Sequence, residues 1–71
     1  MLGKVKMFNP DRGFGFIASD AGGPDIFVHA NVLRRAGIDT LREGQRVTFE
    51  SEINPRDGRL RASEIALANG R

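Results

Sequence analysis

The chain has 71 residues, no cysteine and a formal net charge of +2 from 11 basic and 9 acidic side chains. A chain of this length buries only about 60% of its unfolded surface, so we expect one domain over residues 1–71. The composition excludes a disulfide framework and a cysteine-based zinc site, and a single histidine argues against most metal sites. No segment has the order of a signal peptide or the ~18–20 apolar residues that cross a bilayer. We therefore expect a monomeric cytoplasmic protein without membrane contact.

Glycine and proline clusters divide the sequence into short segments whose composition is typical of strands. In chain order, the predicted strands are Lys4–Phe8, Phe14–Ser19, Asp25–His29, Arg46–Ile53 and Arg59–Leu67. The turn signals between them are Asn9-Pro10-Asp11, Ala21-Gly22-Gly23-Pro24 and Asn54-Pro55-Arg56-Asp57-Gly58. Five short strands with tight turns predict an all-β fold, either a small barrel or a sandwich.

One short helical segment is predicted between the third and fourth strands. Asn31 is its predicted N-cap and Gly37 the residue that ends it, which leaves room for one or two turns. The connection from Arg34 to Gly44 has little other regular structure, so we expect a mobile or functional loop there.

Side chains alternate across a strand, so the five strands must agree on one core face. The apolar side chains that can share such a face are Val5, Ile17, Ile26, Val28, Val47, Phe49 and Ile53. The opposite face then holds Lys4, Lys6, Phe8, Phe14, Phe16, Phe27 and His29. This second set is unsuitable as a core, because buried lysines would need ionic partners that the neighbouring strands do not supply. We therefore predict that it is exposed.

Exposed aromatic rings surrounded by cations are suited to single-stranded nucleic acid. Each base can stack on an aromatic side chain, at roughly 1–3 kcal/mol per base, while lysine and arginine contact the phosphates. A duplex would hide those base faces. Gly13 and Gly15 fit this arrangement, because glycine allows tight curvature and keeps bulk off the inner face of a small barrel. The pattern therefore predicts single-stranded RNA or DNA as the partner.

The sequence does not indicate catalysis. Residues 13–18 match the dinucleotide fingerprint G-x-G-x-x-[G/A], but that motif works only when a helix follows in a parallel βαβ unit, and no helix is predicted there. One histidine, no cysteine and scattered carboxylates leave no pair of nucleophile and base. We expect no catalytic residue, metal, cofactor or small-molecule substrate, and hence no enzyme.

Two motifs carry a resemblance to a known family. They are Arg12-Gly13-Phe14-Gly15-Phe16-Ile17 and Ile26-Phe27-Val28-His29, within the runs KVKMFNPDRGFGFI and DIFVHANVL. Together with LREGQRVTFE, they make the chain similar to the bacterial cold-shock proteins over about residues 2–67. The resemblance implies a five-stranded antiparallel OB-type barrel that binds single-stranded RNA and DNA. It also implies a role as an RNA chaperone or as a regulator of transcription or translation.

The resemblance also implies a binding site. The family's binding residues that this sequence keeps are Lys6, Phe8, Phe14, Phe16, Phe27 and His29. Phe14, Phe16, Phe27 and His29 are expected to stack bases, with Phe8 at the edge. Lys6 is expected to contact phosphate together with Arg12, which replaces a usual lysine and preserves the charge.

Three positions depart from the family pattern. Met7 stands where a tryptophan is usual, Ala30 where a phenylalanine is usual, and Ile38 where the long loop usually has an aromatic residue. Methionine can still contact a base through its sulfur, whereas alanine offers almost no stacking surface. We therefore expect a shorter or weaker binding site than is typical of the family.

Met7 has two possible positions. Strict alternation places it on the core side with Val5, whereas the family pattern places it at the binding surface. A bulge after Lys6 would reconcile the two, and we include Met7 among the predicted binding residues.

Other interpretations remain open at this point. An RRM-type module shares the aromatic motifs but requires two helices and the reverse order of the motifs. A small barrel that docks a protein partner and binds nucleic acid only weakly is the alternative, because aromatic residues are missing at positions 7, 30 and 38. The arginines at positions 34, 35, 56, 59 and 61 are expected to be solvated, although those in the fourth hairpin and in the long loop could reach a passing strand.

Overall fold

A computed structural model describes residues 1–68 of the chain. Its elements are β1 (Leu2–Asn9), β2 (Phe14–Ser19), β3 (Ile26–His29), α1 (Ala30–Arg35), β4 (Arg46–Ile53) and β5 (Leu60–Leu67). The strands close into a barrel in the order β1-β2-β3-β5-β4. The predicted all-β fold, a five-stranded OB-type barrel with one short helix, is confirmed. Residues 69–71 of the predicted domain lie outside the described residues.

Closure of the barrel depends on one parallel contact. Within residues 1–68, the β1–β2, β2–β3, β1–β4 and β4–β5 pairs are antiparallel. The remaining pair, β3 with β5, is parallel and joins Phe27 to Arg61. The barrel is therefore antiparallel except at the junction that brings the start of β5 beside the second aromatic motif.

The barrel interior is apolar. Its buried side chains are Val5, Ile17, Ile26, Val28, Val32, Leu33, Leu41, Val47, Phe49, Ala62 and Ile65. Six of the seven predicted core residues are in this set. The period of two therefore identifies the inner face of β2, β3 and the first half of β4.

Ile53 is the exception, and its predicted burial is wrong: the residue is 65% exposed. On the β1 side, β4 is paired only from Arg46 to Thr48. The far end of β4 has β5 as a partner, with Ile53 opposite Leu60, and forms a hairpin that extends past the barrel. Ile53 has the correct alternation for the core, but it lies beyond the point where a core exists.

A bulge in β1 changes which residues of that strand face inward. Val5 pairs with Ile17 and Met7 pairs with Phe16, so Lys6 is the extra residue. After the bulge the alternation is reversed. Met7 shares the outer face with its partner Phe16, as the predicted bulge requires.

The same bulge makes the predicted outward position of Phe8 wrong. Phe8 is the partner of Gly15, which lies on the inner face, and its half-buried ring packs against the core. Because side chains alternate, a bulge that turns Met7 outward must turn Phe8 inward.

The helix begins two residues earlier than predicted. Its N-cap is His29, not Asn31: the Nδ1 atom of His29 accepts a hydrogen bond from the backbone N–H of Asn31 at 3.1 Å. The predicted end at Gly37 is confirmed. Gly37 has a φ of 75°, and its N–H donates to the carbonyl of Arg34, while the N–H of Ile38 donates to that of Leu33. This is a Schellman motif, in which glycine accommodates the left-handed backbone.

The long connection after α1 is held against the barrel. Leu41 is buried in the core, and Ile38 packs against it. Among the described residues, no helix is long and apolar enough to cross a membrane.

Candidate nucleic-acid interface

Four aromatic side chains of β2 and β3 form a continuous cluster on the outside of the barrel. The ring centroids of Phe14 and Phe27 are 5.8 Å apart and nearly parallel, at 24°. Phe16 meets both rings edge-on, at centroid distances of 6.0 Å and 5.8 Å. His29 lies 6.5 Å from Phe27. We call Phe14, Phe16, Phe27 and His29 the aromatic platform.

Strand register explains why these rings share one face. Phe14 is opposite His29, and Phe16 is opposite Phe27. The intervening inner pairs are Gly15 with Val28 and Ile17 with Ile26. The phenylalanines are half-buried and His29 is exposed, so the rings support one another while each keeps accessible surface. The sequence prediction that these four residues form one exposed face agrees with this geometry.

The platform continues across four strands as a row of neighbouring residues. Met7 of β1 is opposite Phe16, Phe16 is opposite Phe27, and Phe27 is opposite Arg61 of β5. Neighbouring strands lie about 4.8 Å apart, so these side chains are close enough to contact one ligand. The aromatic row therefore has a thioether at one end and a guanidinium at the other.

His29 has two structural roles at the edge of the platform. Its ring stands beside Phe27, and its Nδ1 atom caps α1 through Asn31. An Nδ1 atom that accepts a hydrogen bond carries no proton, so the neutral ring is protonated at Nε2. The cap therefore restrains the imidazole in an orientation that leaves an N–H donor at Nε2.

The two predicted phosphate-contacting residues both lie in the β1–β2 hairpin, Lys6 within β1 and Arg12 in the turn. Lys6 is the bulge residue, and its Nζ atom is 2.9 Å from a carboxylate oxygen of Asp25. Arg12 is exposed in the turn, where its backbone N–H donates to Oδ1 of Asn9. The turn is attached to the start of α1, since the N–H of Ala30 donates to the carbonyl of Gly13 at 2.8 Å. Arg12 is thus held near the His29 end of the platform.

Two clefts flank Phe27. The larger, about 610 Å³, separates Phe16 and Phe27 from the β4–β5 hairpin and includes Pro24, Leu60 and Arg61 in its lining. The smaller, about 360 Å³, lies between Phe27 and His29 on one side and Arg35 and Arg61 on the other. The larger cleft has the mostly apolar surface with a few polar groups that ligand sites have, whereas the smaller is lined mainly by polar and charged side chains.

These features can be compared with known proteins. Residues 1–68 match the family model of the 'Cold-shock' DNA-binding domain. The chain belongs to the cold-shock domain family. The cold shock-like protein CspA of Shewanella violacea is 51% identical over 63 residues, which cover 89% of this chain and 87% of that protein. The cold shock protein CspA of Rhizobium meliloti is 44% identical over 66 residues, covering 93% and 96%. The cold shock-like protein CspA of Rickettsia bellii is 42% identical over 67 residues, covering 94% and 93%.

Membership of the cold-shock family confirms the resemblance inferred from the two aromatic motifs. It identifies the chain as a nucleic-acid-binding protein of a DNA-binding family. The platform is the part of this cold-shock domain whose chemistry suits that function, because it is the aromatic surface that the core leaves outside.

Two of the three departures from the family pattern are tied into the fold of this cold-shock domain. Ala30 is the first residue of α1 and is half-buried. Ile38 donates the outer hydrogen bond of the Schellman motif and packs against the core. Met7 differs from both, because it borders Phe16 on the platform side.

Sequence reasoning missed the contribution of the β4–β5 side of the cold-shock domain. Leu60 of β5 forms part of the large cleft, but it is far along the chain from both aromatic motifs. The sequence predicts a solvated Arg61 that could reach a passing strand from its hairpin, but it does not predict a place beside Phe27. Only the parallel β3–β5 pair brings it beside Phe27, and a single parallel contact leaves no pattern in a sequence.

Proposed function

We propose that this cold-shock domain binds single-stranded RNA and DNA by stacking bases on Phe14, Phe16, Phe27 and His29. The observation that carries the proposal is the packing of four aromatic rings on one accessible face, at centroid distances of 5.8–6.5 Å. Base stacking of this kind tolerates every base and requires that the base faces be unpaired. Met7 extends the stacking surface, and Lys6 and Arg12 contact phosphates.

The proposed cellular role is that of an RNA chaperone or a regulator of transcription or translation. A protein that binds only unpaired strands shifts local equilibria toward the open form by mass action, without a cofactor. Each duplex step is worth about 1.4 kcal/mol, so stacking a few bases opens only short or weak hairpins. Monomeric action in the cytoplasm is part of this proposal.

Fluorescence anisotropy of a labelled seven-nucleotide pyrimidine strand and of a matched duplex tests the stacking proposal. We expect the single strand to bind more tightly than the duplex. Phe16→Ala and Phe27→Ala should each weaken single-strand binding roughly 5- to 150-fold, which corresponds to about 1–3 kcal/mol per stacked base.

Leu2→Ala is the matched control, since Leu2 is also an exposed apolar residue but pairs with Thr48 away from the platform. Equal binding of duplex and single strand, or equal effects of Leu2→Ala and the two phenylalanine variants, would contradict stacking.

Salt dependence separates this proposal from docking of a protein on the same face. The affinity for a single strand should fall log-linearly with salt, with a slope of roughly −0.7 for each phosphate neutralised. An apolar protein interface should respond little to salt. A salt-independent affinity for the oligonucleotide would therefore count against phosphate contacts by Lys6 and Arg12.

A further inference from the structure

Arg61 occupies the position on β5 that is level with Phe27. The two residues are the register partners of the parallel β3–β5 pair, so their side chains emerge on the same face about one strand spacing apart. Arg61 is also the cationic residue that lines both clefts beside Phe27. Its guanidinium is therefore placed where the backbone of a strand stacked on Phe27 can be reached.

Glu52 holds this guanidinium in a defined orientation. Its Oε1 atom is 3.1 Å from Nε and 3.1 Å from Nη2 of Arg61. An arginine side chain has five N–H donors, and this pair of contacts uses two of them. The donors that do not face Glu52 can meet another acceptor, and a phosphate is one whose geometry matches the guanidinium fork.

The Arg61–Glu52 ion pair contributes little to the folding stability of the barrel. Both side chains are about half exposed, at 45% and 51%, and exposed ion pairs of this kind contribute only about 0–1 kcal/mol. The backbone of β4 and β5 already sets Glu52 opposite Arg61. The guanidinium therefore stays accessible at the border of the platform, and its position beside Phe27 is what sets it apart from the other exposed ion pairs.

We propose that Arg61, which is paired with Glu52 in the free protein, contacts a phosphate of the strand that is bound on the aromatic platform. The inference rests on the proposed function and extends it: the bound strand crosses from β2 and β3 onto β5 rather than ending at Phe27. Glu52 has an opposing effect on affinity, because its carboxylate occupies part of the guanidinium and repels phosphate.

The test compares charge-matched variants, with a fluorescein-labelled heptathymidine strand as the probe. Arg61→Gln should weaken binding about 5- to 10-fold and make the salt slope shallower by about 0.7, the loss of one phosphate contact. Arg46→Gln is the control. Arg46 also lies in an exposed ion pair, with Asp20 at 2.7 Å, but it pairs with Lys4 of β1 and lines neither cleft. Arg46→Gln should therefore change the affinity for heptathymidine less than about twofold.

Glu52→Gln provides a second arm that keeps Arg61. Removing the carboxylate should tighten binding about two- to fivefold. Glu64→Gln removes the same charge from an exposed residue of β5 that lines neither cleft beside Phe27 and should have almost no effect. If Arg61→Gln does not fold, as judged by circular dichroism, the comparison of Glu52→Gln with Glu64→Gln decides the question.

The outcomes distinguish this inference from the proposed function. Equal effects of Arg61→Gln and Arg46→Gln, or of Glu52→Gln and Glu64→Gln, overturn the phosphate contact alone, provided that Phe27→Ala still weakens binding. If the unmodified protein does not bind heptathymidine, or if Phe27→Ala binds it as tightly, the stacking proposal fails first. A specific loss of affinity and of salt slope in Arg61→Gln supports both.

Discussion

Phe8 occupies the space that a side chain at Gly15 would need. A Cβ atom built on Gly15 would lie 2.7 Å from Cδ1 of Phe8 and 2.5 Å from the carbonyl oxygen of Met7. The glycine between Phe14 and Phe16 is therefore required by the close approach of β1, through the backbone at Met7 and the ring of Phe8. Phe8 fills the inner face at this point, and the two phenylalanines of β2 are left outside.

Replacing Gly15 with alanine should destabilise the barrel. The added methyl group meets backbone as well as a ring, so strands β1 and β2 must separate locally, and overpacking of this kind costs about 1–3 kcal/mol. Urea unfolding followed by circular dichroism measures the loss. Gly22→Asn is the control, because a Cβ at Gly22 meets nothing within 4 Å and asparagine tolerates its left-handed φ of 85°. A Gly15→Ala variant as stable as the control would show that the contact with Phe8 relaxes freely.

Phe8→Ala should affect stability more than binding. The ring packs against the core from the inner face, so its removal should lower the free energy of unfolding by about 2–3 kcal/mol, as a partly buried case of a core truncation. The affinity for heptathymidine should change less than threefold when measured below the unfolding transition. A tenfold loss of affinity in a stable Phe8→Ala variant would place Phe8 in the interface after all.

Substitution of His29 separates its two roles. His29→Asn removes the ring but keeps a side chain that caps a helix well, whereas His29→Ala removes both. Both variants should lose affinity for the single strand to the same extent, roughly fivefold or more. His29→Ala should also be less stable than His29→Asn by about 1 kcal/mol, or about 4–8 °C in Tm for a chain of this size. Equal Tm values would mean that the hydrogen bond to Asn31 does not stabilise α1.

Met7→Trp should strengthen binding. Met7 borders Phe16 on the outer face, so an indole there adds a stacking surface at the end of the aromatic row, and a gain of roughly fivefold or more is expected. Leu2→Trp adds the same ring at an exposed site away from the platform and should leave the affinity unchanged. Titration of the labelled heptathymidine strand measures both. Similar gains in the two variants would indicate nonspecific contact with an added aromatic group.

Most of the platform could be predicted from local alternation. Phe14, Phe16, Phe27 and His29 all lie in strands without a bulge, so a period of two assigns their face correctly. Phe8 shows where this reasoning stops. A bulge at Lys6 that turns Met7 outward also turns Phe8 inward, so strict alternation along β1 assigns Phe8 to the wrong face.

Ile53 and Arg61 show a different limit. Alternation gives Ile53 the correct side of β4, but it carries no information on where the neighbouring strand ends. In β5 it fails for Arg61, because the register shift leaves Ser63 as an extra residue and strict alternation from the buried Ile65 would turn Arg61 inward. Ile53 is exposed because β1 covers only the first part of β4. Arg61 borders Phe27 because β5 closes the barrel against β3 through one parallel pair.

By itself, the sequence determined the strands, most of the core, the outward aromatic face and the family, because these depend on the order and spacing of residues along single strands. The tertiary structure decided the inward position of Phe8, the capping role of His29 and the place of Arg61 and Glu52 beside the platform. These depend on barrel closure, a β-bulge and a hydrogen bond between a side chain and the backbone. Such contacts join groups whose proximity is a property of the folded chain and not of its local pattern.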